Sequence, residues 1–288
     1  MSLRQTVLAC GTPAARRLRL RVPDSPPPAE GWPLLVLLDG DWLWPLPLSS
    51  GPGPACAILL PGHDQGPDRA QDTPDSLSRT DGRQQILARR TLDYTPPAPD
   101  GSGWPDPRRP EWSCGGADAF LDALLGPMLD WAGTQTRLNP ARRSLYGHSY
   151  GGLCALYALI RHPGRFDHTI CASPSLWWRD GWIEALLDGL PAAQPRAPDS
   201  IGLSPLPSRP VRLTLMAGTH ERWYSSPADP AHPRHPDDGI PTLPRLEALC
   251  QRLMRLAWLD CALEPLDGIH HGDALRAGAL RAVTLAAA

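Results

Sequence analysis

Chemistry is most concentrated at Gly147-His148-Ser149-Tyr150-Gly151-Gly152, a G-x-S-x-G run between a short strand, Ser144 to Tyr146, and a helical stretch, Leu153 to Ile160. A serine on such a strand-to-helix turn is exposed at the C-terminal edge of a sheet, and the flanking glycines remove side chains that would collide there. The helix N-terminus behind the turn favours developing negative charge, and the Tyr150 backbone N–H becomes a donor to an oxyanion. That is the chemistry of nucleophilic attack on a carbonyl. A serine hydroxyl needs a base, and the base needs an orienting acid. Glu221 follows the apolar run Val211 to Ala217, and His270 and His271 precede the last helical stretch. The chain order Ser149, Glu221, His271 is the one a nucleophile elbow requires. His271 is the expected base, with His270 as the alternative. Glu221 is the expected acid, although Asp229, Asp237 and Asp238 follow it closely. The turn Asp39-Gly40-Asp41 ends an earlier strand on the same sheet edge, which makes the Asp41 N–H the expected second oxyanion donor.

The elements that must position these residues are legible as alternating short apolar runs and longer amphipathic ones. Arg16 to Val22 alternates like a half-buried strand, while Pro33 to Asp39 and Ala55 to Leu60 are continuous apolar runs, as in strands buried on both faces. Strands are also expected at Asp167 to Ala172, Val211 to Ala217 and Trp258 to Leu263. Helices are expected at Gly181 to Leu190, Leu243 to Leu256 and Asp273 to Leu285, and over Ala117 to Trp131 with a kink or stop at Pro127. Strands alternating with helices predict an α/β fold with a mostly parallel central sheet covered by helices on both faces. We expect one domain over residues 1–288, with long Pro/Gly-rich loops at about 61–116, 191–210 and 225–244. Only Gln85 to Tyr94 looks ordered within the first of these.

Composition excludes several function classes. Proline (36) and glycine (26) fill 62 of 288 positions, about 22%, which alone would suggest disorder. The 42% hydrophobic content, 11 tryptophans and net charge of −2 are not those of a disordered chain. A near-neutral chain also has no basic excess to steer it to nucleic acid or an anionic membrane. All 28 basic residues are arginine. Seven scattered cysteines with no C-x-x-C pair read as free thiols. Free thiols, no signal-peptide pattern and no run near the ~18 apolar residues of a membrane span together predict a cytoplasmic protein.

No metal site is expected, because the prolines around His232 and His235 prevent the helical i, i+4 geometry of a zinc pair. Trp177, Trp178 and other tryptophans fall in or near the loops that should ring the site, either packing those loops or walling an aromatic pocket.

Six motifs in order carry a family resemblance: Val36 to Asp41 (VLLDGD), Arg89 to Pro96 (RRTLDYTP), the Gly147 to Gly152 elbow, Ala172 to Trp178 (ASPSLWW), Ala217 to Glu221 (AGTHE) and His271-Gly272. Over roughly residues 16–285 the chain resembles the putative-esterase family of α/β hydrolases, nearest to siderophore esterases that cleave enterobactin-type and salmochelin-type trilactones. The resemblance implies an α/β-hydrolase fold, Ser149 as nucleophile, His271 as base, and oxyanion donors at Asp41 and Tyr150; because some members of the family resemble a Ser-His dyad, it leaves a pair without an acid as the alternative to Glu221. It further implies that Arg89 or Arg90 meets an anionic iron-catecholate, a planar charged ligand suited to arginine. The expected activity is a serine esterase acting on a catecholate trilactone, ferric or free, through an acyl-enzyme, with no cofactor. An esterase or thioesterase for another small acyl ester is the alternative, and a non-catalytic siderophore-binding protein is the second.

Overall fold

The computed structural model describes residues 1–9, 15–48, 55–64, 80–192, 206–207, 209–223 and 239–288. In chain order its strands are β1 (Ser2–Leu8), β2 (Arg16–Val22), β3 (Trp32–Leu37), β4 (Ala57–His63), β5 (Trp104–Pro105), β6 (Ser113–Cys114), β7 (Leu138–His148), β8 (His168–Ala172), β9 (Val211–Gly218), β10 (Arg222–Trp223), β11 (Ile240–Pro241) and β12 (Leu259–Leu266). The helices are α1 (Gly40–Leu43), α2 (Thr80–Tyr94), α3 (Ala117–Ala123), α4 (Leu129–Gln135), α5 (Tyr150–Arg161), α6 (Trp182–Asp188), α7 (Thr242–Leu253) and α8 (His271–Ala287). The described residues divide by internal contacts into two compact units, Met1–Leu145 with Ala282–Ala288, and Tyr146–Arg281.

In the first unit the strands lie in the order β1-β2-β4-β3-β7. β3 and β4 pair in parallel, and β2 and β1 are added antiparallel at the edge. Every residue of β3 and β4 is buried, as the unbroken apolar runs require. In the second unit the order continues from β7 to β8, β9 and β12, with β8–β9 and β9–β12 parallel. Eight strands, mostly parallel and joined through helices, form the central sheet of an α/β-hydrolase fold, as expected.

Several boundaries differ from the sequence expectation, each for a local reason. β4 runs through Pro61-Gly62, which punctuation rules would end. Pro61 lies beyond the pairing of β4 with β3, which runs from Ala57 to Leu59, so its missing N–H interrupts no ladder on that side. Gly62 must lack a Cβ, because one there would come within 2.6 Å of the Asp41 carboxylate. β7 begins six residues before Ser144, in a half-buried to exposed stretch, Leu138 to Arg143, that carries no apolar pattern. β1, exposed at the edge, was legible to neither periodicity nor propensity. The helix over 117–131 breaks as Pro127 demands: a five-residue π-turn at Leu124–Met128 with non-helical Gly126 separates α3 from α4. The 61–116 segment is more ordered than expected, since α2 starts at Thr80 and β5 pairs with β6. Most of 191–210 and 225–244 lies outside the described residues; β11 and the start of α7 fall within the latter.

Six cysteines are described, all free thiols, four of them buried; Cys10 lies outside the described residues. Among the described residues, no helix is long and apolar enough to cross a membrane.

The first unit holds an ion network that the strand patterns did not announce. β2 is far more buried than half, and Arg16 (2% exposed) forks onto Asp93 of α2 at 2.5 and 2.6 Å. His63 donates from Nε2 to Asp93 Oδ2 at 2.9 Å and from Nδ1 to Asp41 Oδ2 at 2.8 Å, and its backbone N–H also donates to Asp41. Both ring nitrogens therefore donate, which makes His63 an imidazolium between two carboxylates. Burial alone would lower its pKa, but the hydrogen bonds to Asp41 and Asp93 and their negative charges outweigh it and raise it to about 9. Because the folded value exceeds the ordinary 6.5, the folded state holds a proton that the unfolded chain releases above pH 6.5. His63 thus contributes its full stabilisation below pH 6.5, and that contribution is lost as pH rises through about 9. Urea unfolding of wild type is expected to show stability falling between these pH values, and His63→Gln to be less stable at pH 6 with that part of the slope removed.

Candidate active site

All three residues of the expected relay lie in the second unit. β7 ends at His148, and the chain turns into α5 through Ser149, whose φ of 55° and ψ of −116° are sparsely populated for a residue with a Cβ. The turn is held by its surroundings: the Ser149 N–H donates to Ala172 O at 3.0 Å, and Leu153 N–H donates to Ser149 O at 2.9 Å. A Cβ on Gly147 would lie 2.0 Å from Gly151 O, so the first glycine of the motif is a steric necessity. The Tyr150 N–H belongs to the first turn of α5, where no intrahelical acceptor exists.

β9 delivers Glu221 through the turn after Gly218, with the Glu221 N–H donating to Gly218 O at 3.0 Å. Its carboxylate is buried at 5% exposure and gathers three donors. His271 Nδ1 lies 3.1 Å from Oε1, the Thr242 hydroxyl donates to Oε1 at 3.1 Å, and the Ser173 hydroxyl donates to Oε2. Burial raises the Glu221 pKa, but the hydrogen bonds from His271, Ser173 and Thr242 and the His271 charge outweigh it, holding the carboxyl below its ordinary value. An ionised Glu221 accepting from Nδ1–H leaves Nε2 of His271 as an acceptor. That Nε2 stands 3.3 Å from Ser149 Oγ.

His271 is placed by the start of α8. Tyr146 Oη donates to Leu275 O at 2.7 Å and to Ala274 O at 3.2 Å, tying the helix to the end of β7. His148 Nε2–H donates to His271 O at 2.8 Å, with the two rings 4.7 Å apart. His270 instead faces His220, at 5.3 Å between ring centroids. Asp229, Asp237, Asp238, His232 and His235 lie outside the described residues.

The remaining expected residues are placed as follows. Trp178 is fully buried, edge-on to Trp182, while Trp177 is half-buried beside the Tyr150 ring. In the first unit, Asp39 adopts a left-handed φ of 65° and Gly40 opens α1. The Asp39 N–H donates to Tyr94 Oη, and its carboxylate accepts from Arg90. Arg90 is thereby ion-paired, with its guanidinium 5.3 Å from the Tyr94 ring centroid. Arg89 donates to the neutral carbonyl of Asp64 at 2.9 Å.

Sequence reasoning did not reach Ser173, Ser175, Thr242 or His148 as site residues. His148 is the variable position of the G-x-S-x-G pattern, and Thr242 sits in a stretch read as a linker. Ser173 and Ser175 lay inside a recognised motif, yet a serine hydroxyl carries no periodic signal of its own. Glu221→Ala is expected to lower the turnover of any ester by about 10³- to 10⁴-fold while His271 stays in place. Thr242→Val, which removes one of three donors, should cost about tenfold or less. Steady-state kinetics on a chromogenic ester measures both.

A family model described as Putative esterase matches residues 11–231. The chain is similar to the siderophore triacetylfusarinine C esterase of Aspergillus fumigatus, with 45% identity over 103 residues, 34% of this chain and 30% of that protein. It is also similar to the ferri-bacillibactin esterase BesA of Bacillus subtilis, with 26% identity over 208 residues, 71% of this chain and 65% of that protein. The matched stretch thus spans about a third of the first relative and just under two thirds of the second. Among solved structures, the enterobactin and salmochelin hydrolase IroE has the same fold at a TM-score of 0.67, with 20% identity over 99% of this chain and 94% of that one.

Proposed function

The chain belongs to the putative-esterase family of α/β hydrolases, and from that premise we propose that it is a serine esterase hydrolysing the ester bonds of a siderophore, a catecholate trilactone in ferric or free form. The observation that carries the serine mechanism is the run of contacts from Glu221 through His271 to Ser149 Oγ, at 3.1 and 3.3 Å. Contacts at the long end of hydrogen-bonding range are usual before substrate arrives. The substrate class is supported by relatives whose names are those of siderophore esterases.

In the proposed reaction His271 Nε2 takes the Ser149 proton as Oγ attacks the ester carbonyl. Glu221 holds the imidazole in the tautomer that can accept and stabilises the imidazolium that forms. The carbonyl oxygen gains negative charge against the Tyr150 N–H. Collapse of the tetrahedral intermediate expels the alcohol of the lactone, which receives its proton from His271. Water, activated by the same imidazole, then releases the acid. Arg89 is the better of the two arginines to meet an anionic catecholate. Its partner is a neutral carbonyl, whereas the charge on Arg90 is balanced by Asp39. Trp177, half-buried beside Tyr150, is the better of the two tryptophans to touch an acyl group.

Mass spectrometry of a catecholate trilactone incubated with the protein, with and without Fe(III), is expected to show addition of water and a linear trimer. Ser149→Ala should lose at least ~10³-fold in kcat. Equal turnover by that variant would sink the serine mechanism. Cleavage of simple acyl esters with none of the trilactone would sink the substrate class and leave a general esterase.

A further inference from the structure

The segment Ser173-Pro174-Ser175, directly after β8, touches both ends of the relay. The Ser173 hydroxyl donates to Glu221 Oε2, and its N–H donates to Met216 O on β9 at 2.7 Å. Two residues on, the Ser175 N–H donates to Ser149 O at 3.1 Å, and Ser175 Oγ lies 3.2 Å from Ser149 Oγ. Ser175 is 1% exposed, while Ser149 is half-buried, so the donor comes from the buried side of the contact. Pro174 between them has a fixed φ, and it packs where a Cβ on Gly152 would come within 2.9 Å of its Cα. The second glycine of the Gly151-Gly152 pair therefore lets this segment close on the elbow.

Proton bookkeeping settles the direction of the Ser149–Ser175 contact. Glu221 accepts from Nδ1–H of His271, so Nε2 is an acceptor, and the single hydroxyl proton of Ser149 is directed to it. Ser149 Oγ can then offer Ser175 only a lone pair. In the reactive form of the relay Ser175 is the donor.

We propose that Ser175 is a further catalytic residue, whose hydroxyl donates to Ser149 Oγ and stabilises the partial negative charge on that atom in the transition states where the Oγ–C bond forms or breaks. The inference rests on the serine-esterase reading above. During acylation the Ser149 proton moves to His271 Nε2, the Oγ–C bond forms, and the carbonyl electron pair moves onto its oxygen. Ser175 keeps its proton throughout, and only its hydrogen bond tightens as Oγ loses the competing O–H. During deacylation Ser149 Oγ is the leaving group, and the same bond stabilises it until His271 returns the proton. A donor aimed at an atom that carries partial negative charge at the transition state of both steps is a transition-state interaction.

The test compares wild type, Ser175→Ala, Ser175→Cys and Ser175→Thr on a p-nitrophenyl ester and a catecholate trilactone, with Ser149→Ala as control. Ser175→Ala is expected to lose about 10- to 100-fold in kcat, the range for a hydrogen bond to a charged group, with KM unchanged. The rate of Ser149 labelling by a fluorophosphonate should fall by a similar factor. Ser175→Thr, which keeps the hydroxyl, should recover most of the loss. In mixed H₂O and D₂O the wild-type rate should vary along a curve, since two hydrogens tighten in the transition state, and the Ser175→Ala rate along a straight line. If the alanine variant does not fold by circular dichroism, the near-isosteric cysteine, a weak donor, should show the same fall. A kcat within twofold of wild type, or a loss accompanied by raised KM and an unchanged isotope curve, overturns the proposal. Turnover and labelling that need Ser149 but ignore Ser175 refute this inference alone. Absence of both in wild type refutes the esterase reading, and this inference with it.

Discussion

A carboxylate buried at the end of a central strand is the constraint on which the second unit depends. Glu221 at 5% exposure has lost most of its hydration and must be compensated by donors on several elements. Ser173 comes from the end of β8, Thr242 from the start of α7 and His271 from the start of α8. Thr242 is bound twice, since its backbone N–H also donates to Glu221 O at 3.2 Å. One side chain thus fixes where three elements begin or end. A charge in this position is worth more as an organiser than as a contact, because losing any donor leaves the others beside an undercompensated anion.

The same logic operates in the first unit with a different chemistry. There Arg16, Asp93, His63 and Asp41 alternate in sign through a buried chain of hydrogen bonds, and Arg90 separately holds Asp39. Asp39 and Asp41 flank Gly40, so both carboxylates of this turn are anchored to residues distant in sequence. The strict volume limits at Gly62 and Gly40 belong to that arrangement, since a Cβ at Gly40 would reach within 2.5 Å of Pro61 O.

How much of this could be read from the sequence follows from which physical signal each part carries. β3 is a continuous apolar run, and β8 and β9 are short stretches rich in apolar and β-branched residues closed by turn residues; their observed bounds agree with expectation to within one or two residues. The positions of Ser149, Glu221 and His271 were legible because each follows a recognisable strand or precedes a recognisable helix, and the order of such ends is constrained by topology. His271 was the expected base and is the one that reaches Ser149, yet local pattern left His270 as an alternative, since neighbouring residues differ by about 100° around a helix and the first helical residue decides which ring faces the serine. The Ser173 and Thr242 hydroxyls that donate to Glu221 were invisible for a different reason. Their roles arise only when β8 and the start of α7 lie beside the end of β9, and no local pattern encodes those neighbours. The Arg16 network hid for the opposite reason, because alternation of arginine and leucine in β2 reads as one wet face when both faces are covered.

Backbone strain gathers where these contacts converge. Ser149 and Ser173 both carry positive φ, at 55° and 47°, although each has a side chain that disfavours it. Such conformations cost of order 1–3 kcal/mol each and persist only where the surroundings over-determine them. Here the surroundings can be named. Ser149 N–H is bound to Ala172 O, the residue before Ser173, and Ser173 N–H is bound to Met216 O on the next strand. The two strained residues therefore stand on consecutive rungs of one buried parallel sheet. Neither can relax into an ordinary conformation without breaking a hydrogen bond that has no water to replace it. What the strain achieves is direction: it turns the Ser149 hydroxyl toward His271 and the Ser173 hydroxyl toward Glu221, so the relay is held in shape before any substrate is present.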